Sequence, residues 1–134
     1  FFVQKDENEK LQDSNSRAML NFGHTFGHAL ETMNNYSNNL THGEAISIGM
    51  SLASKISNKI GTLSNKDYQK IISHLKKSKL PIYDTRIKNN KLYNLMLSDK
   101  KNTNNKINLI LLKKIGNAYF NTEMNMRDIK RILN

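Results

Sequence analysis

The chain has 134 residues and no cysteine, and 21 lysines and arginines against 11 acidic residues give it a formal net charge of +10. This length is that of a single domain, and the absence of thiols excludes a disulfide framework and cysteine chemistry. The sequence has no run of about 18 apolar residues, so we expect no membrane-spanning helix and no membrane partner, and the pattern is consistent with a cytoplasmic location.

The positive charge is spread along the chain. The basic residues are 17 lysines and 4 arginines, and the chain also holds 20 asparagines. Lysine and asparagine share A-rich codons, so an AT-rich genome produces this composition without selection for binding. The lysines form no stripe interleaved with aromatic residues, which a nucleic-acid surface would favour. We therefore expect no nucleic-acid partner.

The first predicted helix follows a polar, acidic segment. Residues 1–13 open on Phe1-Phe2-Val3, too short an apolar stretch for a signal peptide, so we expect the chain to begin within an element of a longer protein. The residues from Asp13 to Ser16 favour an N-cap, and a helix is predicted from about Ser16 to Asn34. An asparagine-rich loop follows over 34–39.

The remaining pattern predicts a mostly α-helical single domain with one small β-hairpin near its C-terminus. Thr41 and Glu44 have the spacing of a capping box, and the helix that follows, ending near Gly61, is apolar on more than one face and therefore central. The other predicted elements are a helix from Ser64, a short helix over Asn90–Leu97, strands over Ile107–Leu112 and Ala118–Phe120, and a final helix over Met126–Leu133.

A polar stripe follows the first predicted helix. Arg17, Asn21, His24 and His28 recur at helical spacing, and Glu31 extends the line. A solvent-facing strip in so lysine-rich a chain would be expected to contain lysine, and this strip has none. Imidazole and guanidinium groups suit metals and anions, so the stripe is a candidate site, although a solvent-exposed face remains the alternative.

Two glycines lie directly before the histidines of this stripe. Gly23 and Gly27 are four residues apart, and each costs about 0.5–1 kcal/mol in a helix interior relative to alanine. Small residues at this spacing allow a ligand or another helix to approach closely. Ordinary helix packing and a functional site are both compatible with the pattern.

A third histidine, His42, occupies the first position of the second predicted helix. Two antiparallel helices would bring it back toward His24 or His28. Two histidines with one carboxylate from elsewhere form a common catalytic metal site, although the N-terminal dipole of a helix opposes a cation there. His74 has no such companions, and we interpret it as an ordinary surface histidine.

Two motifs now carry a family resemblance. The stretch RAMLNFGHTFGHALE (17–31), followed by HGEAISIGM (42–50), closely resembles the signature of the 3-dehydroquinate synthase family. SDKKN (98–102) and INLILLKKIG (107–116) also resemble that family's lysine loop and hairpin. The resemblance covers nearly the whole chain but only the C-terminal part of the family's proteins, whose NAD-binding Rossmann-like N-terminal domain we expect to be absent from residues 1–134.

The resemblance implies an activity and a set of site residues. Family members convert 3-deoxy-D-arabino-heptulosonate 7-phosphate to 3-dehydroquinate and phosphate, using NAD and a divalent metal, zinc or cobalt, and are usually homodimers. By resemblance, His24 and His42 are metal ligands, with a glutamate upstream of this chain as the third. His28 takes part in proton transfer, and the substrate is bound by Arg17, Asn21 and one of Lys100 and Lys101. The alternatives are a related sugar-phosphate cyclase, a metal-dependent alcohol dehydrogenase and a free-standing metal-binding module.

Overall fold

The computed structural model describes residues 21–33, 40–97 and 106–134. Within them, the elements in chain order are the helices α1 (His24–Met33), α2 (His42–Lys59) and α3 (Asn65–Lys77), a 3₁₀ helix (Thr85–Lys88), helix α4 (Asn90–Leu97), the strands β1 (Lys106–Lys114) and β2 (Asn117–Asn125), and helix α5 (Met126–Leu133). The predicted helical domain with one hairpin is confirmed. The 3₁₀ helix, which begins after the Asp84 side chain caps the Arg86 amide, was not predicted.

Helix α1 begins later than the sequence predicts. The prediction ran the helix through residues 21–23, but the structure has a turn there, in which the His24 amide donates to the Asn21 carbonyl. Gly23 has a φ of +87°, a left-handed conformation that ends helical geometry and that glycine adopts without steric penalty. Asn21 therefore does not share a helical stripe with His24 and His28.

Helix α2 is the central element, as predicted. Thr41 and Glu44 form the complete capping box, in which each side chain accepts a hydrogen bond from the other residue's backbone amide. The helix packs against α1, α3, α5 and β1, and apolar residues such as Ile48 and Ile56 are fully buried. Its ten buried positions include four serines, because small side chains let several neighbours approach one helix.

The hairpin is longer than the predicted strands. β1 and β2 pair antiparallel, with Ile110 opposite Phe120 and Lys106 opposite Asn125. The second strand continues through residues 121–125, which are polar except for the buried Met124 and show no apolar alternation, and this is why the sequence pattern ended it at Phe120. The hairpin is tied to α2 at Ser57, whose side-chain oxygen accepts a hydrogen bond from the Leu112 amide at 2.9 Å.

No helix in the part of the chain that the structure describes is long and apolar enough to span a bilayer.

Candidate metal and substrate site

Helices α1 and α2 are in backbone contact through three glycines. A Cβ atom built on Gly49 would lie 2.1 Å from the Gly23 carbonyl oxygen, which is too short for a real side chain. One on Gly27 would lie 3.2 Å from the Ala45 carbonyl oxygen, which is tighter than an ordinary contact. The close packing predicted for Gly23 and Gly27 is thus confirmed, and Gly49 is the partner that the sequence pattern did not identify.

The close contact fixes where the histidines lie. Gly23 lies against Met50 and Glu31 lies against His42, so the two helices run antiparallel. His24 and His42 are each the first residue of their helix, and their ring centroids are 6.2 Å apart with the planes at 83°. The structure therefore brings together the two histidines that the resemblance assigns to a metal.

Glu31 is the partner of His42. Its Oε1 atom lies 2.9 Å from the His42 Nδ1 atom, with the histidine side chain 67% exposed and the glutamate 34% exposed. The sequence placed Glu31 at the end of the polar stripe but gave it no role. Its partner could not be identified from the sequence, because the contact depends on how α2 returns along α1.

The two rings suit a divalent metal as a partial donor set. An imidazole nitrogen binds zinc at about 2.0–2.1 Å, so the centres of two rings on one tetrahedral ion are about 5 Å apart. The observed 6.2 Å exceeds this by about 1 Å, a difference that rotation of two exposed side chains covers. Among the described residues no group of three histidine, cysteine or acidic side chains is placed to hold a metal ion. A metal held by the pair would therefore take any further protein ligand of these types from outside those residues.

A cleft of about 920 Å³ opens beside the pair. Its walls come from the turn before α1, from α1, α4 and the two strands, and both His24 and His28 line it. His28 is exposed and follows His24 by one turn of α1, while His42 is not part of the lining. The polar groups that line the cleft include Asn21 and several residues that the sequence did not single out: Thr25, Thr32, Asn108 and Thr122.

The structure does not place the remaining predicted residues at the cleft. Arg17, Lys100 and Lys101 lie outside the described residues. His74 is exposed on α3, as expected of a surface histidine, among the lysines of a shallow groove far along the chain from the histidine pair.

Comparison with known proteins places this chain in a family. The family model for the C-terminal region of 3-dehydroquinate synthase matches residues 2–102. The chain belongs to the 3-dehydroquinate synthase family. It is 42% identical over 133 residues to a 3-dehydroquinate synthase of Thermodesulfovibrio yellowstonii and 38% identical over 132 residues to one of Campylobacter concisus. Each match covers 98% of this chain but 36% of the relative, so the chain spans about a third of these proteins.

Solved structures of related cyclases share the fold. The chain is similar to 2-deoxy-scyllo-inosose synthase, solved with carbaglucose-6-phosphate, NAD⁺ and Co²⁺, at 25% identity and a TM-score of 0.69, over 84% of this chain and 32% of that one. A 2-epi-5-epi-valiolone synthase from Streptomyces hygroscopicus, with NAD⁺ and Zn²⁺ bound, superposes with a TM-score of 0.78 at 22% identity, over 98% of this chain and 36% of that one. The second likeness concerns the fold alone.

Proposed function

We propose that this chain is the metal- and substrate-binding part of a 3-dehydroquinate synthase, which converts 3-deoxy-D-arabino-heptulosonate 7-phosphate to 3-dehydroquinate and phosphate in the shikimate pathway. The observation that carries the proposal is the pairing of the His24 and His42 rings at 6.2 Å beside a cleft that His28 also lines. The relatives' common name gives the reaction. A cytoplasmic location fits an enzyme of this pathway.

Each candidate site residue of this chain has its own proposed role. His24 and His42 would hold the metal, and His28, one helical turn from His24, would move a proton at the substrate. Asn21, which lines the cleft, binds substrate, and Arg17 with Lys100 or Lys101 supplies positive charge for the phosphate and carboxylate. A zinc or cobalt ion held there would supply Lewis-acid chemistry to a hydroxyl group of the substrate.

The rest of the site comes from an N-terminal nucleotide-binding domain. NAD is the hydride acceptor, and no side chain of this chain replaces it. The third metal ligand is a carboxylate from the same upstream part. Residues 1–134 alone are therefore inactive, and the functional enzyme is a homodimer of the longer form.

A second sugar-phosphate cyclase activity is the alternative. The likeness to 2-deoxy-scyllo-inosose synthase, a structure that holds a sugar-phosphate analogue, is the observation that favours it. The identity of up to 42% to proteins named 3-dehydroquinate synthase favours the first activity. Comparing turnover of heptulosonate phosphate with that of glucose 6-phosphate separates the two.

The test uses a chimera that joins this chain to the part of the Thermodesulfovibrio yellowstonii relative preceding its match. We expect phosphate release from the chimera with zinc and NAD, and none from residues 1–134 alone. His24→Ala and His42→Ala should each lose zinc, measured by metal analysis of the purified protein. His28→Ala should keep zinc and lose turnover, and His74→Ala is the matched control that keeps both. Unchanged zinc content in His24→Ala would contradict the assignment.

A further inference from the structure

The hydrogen bond between Glu31 and His42 determines which nitrogen of His42 faces a metal. An ionised carboxylate only accepts hydrogen bonds, so at 2.9 Å the His42 Nδ1 atom is the donor and carries the proton. The lone pair of the neutral ring is then on Nε2. Without this partner, either nitrogen of an exposed imidazole is free to carry the proton.

The position of Glu31 follows from the backbone packing of α1 and α2. Glu31 lies seven residues after His24 on α1, on the same side of the helix. The contact between Gly49 and Gly23 brings α2 so close that its first residue, His42, reaches both the Glu31 carboxylate and the His24 ring. One ring thus has a carboxylate at its Nδ1 atom and the other candidate ligand beside it.

We propose that Glu31 is a positioning residue of the metal site, which holds His42 in the Nδ1–H tautomer and presents its Nε2 atom to the ion. This inference rests on the proposed function for the identity of the ligand, but not for the tautomer. A carboxylate behind a metal-bound histidine fixes the ring orientation and raises its basicity, and loss of such a partner typically weakens metal binding 10–100-fold. An exposed ion pair away from the metal ligands has no such effect, because neither of its members orients a ligand.

The first measurement needs no metal and no activity. Long-range ¹H–¹⁵N spectra of the ring nitrogens, recorded on this chain at a pH about two units above the ordinary histidine pKa, report the tautomer directly. The His42 signals are assigned by their loss in His42→Ala. We expect the Nδ1–H form in the wild-type chain and in Glu31→Gln, whose amide oxygen still accepts the bond. Glu31→Ala should shift His42 toward the Nε2–H form. The same tautomer in Glu31→Ala as in the wild type would overturn the proposal.

The second measurement is zinc affinity by competition with a chromophoric chelator, in the chimera. Glu31→Ala should raise the zinc Kd about 10–100-fold, and Glu31→Gln by less than about tenfold. Glu123→Gln is the matched control: it removes the same charge from an exposed ion pair on the hairpin and should leave the Kd unchanged. Equal zinc Kd values for Glu31→Ala and the wild type overturn the positioning role. A wild-type chimera that binds no zinc instead overturns the proposed function, while the tautomer result stands by itself.

Discussion

Replacement of Gly49 by alanine tests whether backbone contact between α1 and α2 builds the site. The new Cβ would lie 2.1 Å from the Gly23 carbonyl oxygen and 3.0 Å from the Gly27 nitrogen, both backbone atoms that no rotamer change can move. The helices must therefore separate by about 1 Å, since a relaxed carbon–oxygen contact is above 3 Å. Overpacking of this kind costs about 1–3 kcal/mol, occasionally more, and the gain in helix propensity returns about 1 kcal/mol at most.

We expect a net loss of about 2 kcal/mol in the free energy of unfolding, because backbone atoms place this site at the upper end of the overpacking range. With a urea m-value of about 2 kcal/mol/M, the midpoint should fall by about 1 M. The matched control is Gly43→Ala on the same helix, where a Cβ meets nothing within 4 Å among the described atoms, and which should be neutral or slightly stabilising.

Gly49→Ala should also affect the binding of zinc. Separation of the helices adds to the excess of about 1 Å that rotation of the two rings already has to cover, and the distances of bound ligands tolerate only about 0.2 Å. Gly49→Ala should therefore weaken zinc binding in the chimera, and Gly43→Ala should not. An unchanged or raised urea midpoint for Gly49→Ala would refute the packing argument. Normal stability with lost zinc would show instead that the glycines serve the metal site without limiting helix packing.

Three further predictions concern the fold and its charge. Ser57→Ala leaves the buried Leu112 amide without its acceptor and should cost about 1–3 kcal/mol in urea denaturation, more than Ser54→Ala, whose hydroxyl bonds within its own helix. Burial raises the pKa of Tyr93 above 10.0, so the unfolded chain loses its proton first as pH rises past that value. The contribution of Tyr93 to the free energy of unfolding should then fall by up to about 1.4 kcal/mol per pH unit. Tyr93→Phe should remove this part of the slope, while Tyr68, whose pKa burial also raises, keeps its own part. Labelled duplex DNA should bind no more tightly than micromolar at about 150 mM salt, and sub-micromolar binding would contradict the codon-bias interpretation.

The helices were predictable because their signals are local. The Thr41–Glu44 capping box and the apolar positions of α2 identify that helix without knowledge of its neighbours. The start of α1 was not predictable in this way. The polar periodicity from Asn21 to His24 runs across Gly23, yet Gly23 has a left-handed φ and packs against Met50, a residue 27 positions later. A periodicity contains neither this backbone conformation nor this tertiary contact.

The candidate site was likewise predictable only where its signals are local in the sequence. The sequence identified His24, His28 and His42 from residue type and spacing, and Glu31 from the stripe alone. It could not assign Glu31 to His42, because that pair depends on the depth to which α2 packs on α1. The threonines and Asn108 of the cleft carry no sequence signal of their own, since they come from separate elements that only the fold brings together.

The charges around His42 indicate what kind of further ligand would suit a metal ion there. His42 is the first residue of α2, where the helix dipole places about half a positive charge and opposes a cation. Glu31 on the His42 ring and Glu44 on the Thr41 amide offset part of it, but both carboxylates are already engaged in hydrogen bonds. Two neutral imidazoles leave the full charge of a divalent ion uncompensated. A third ligand with a negative charge therefore suits this end of α2 better than another imidazole, and this is a physical reason for the carboxylate ligand that we propose.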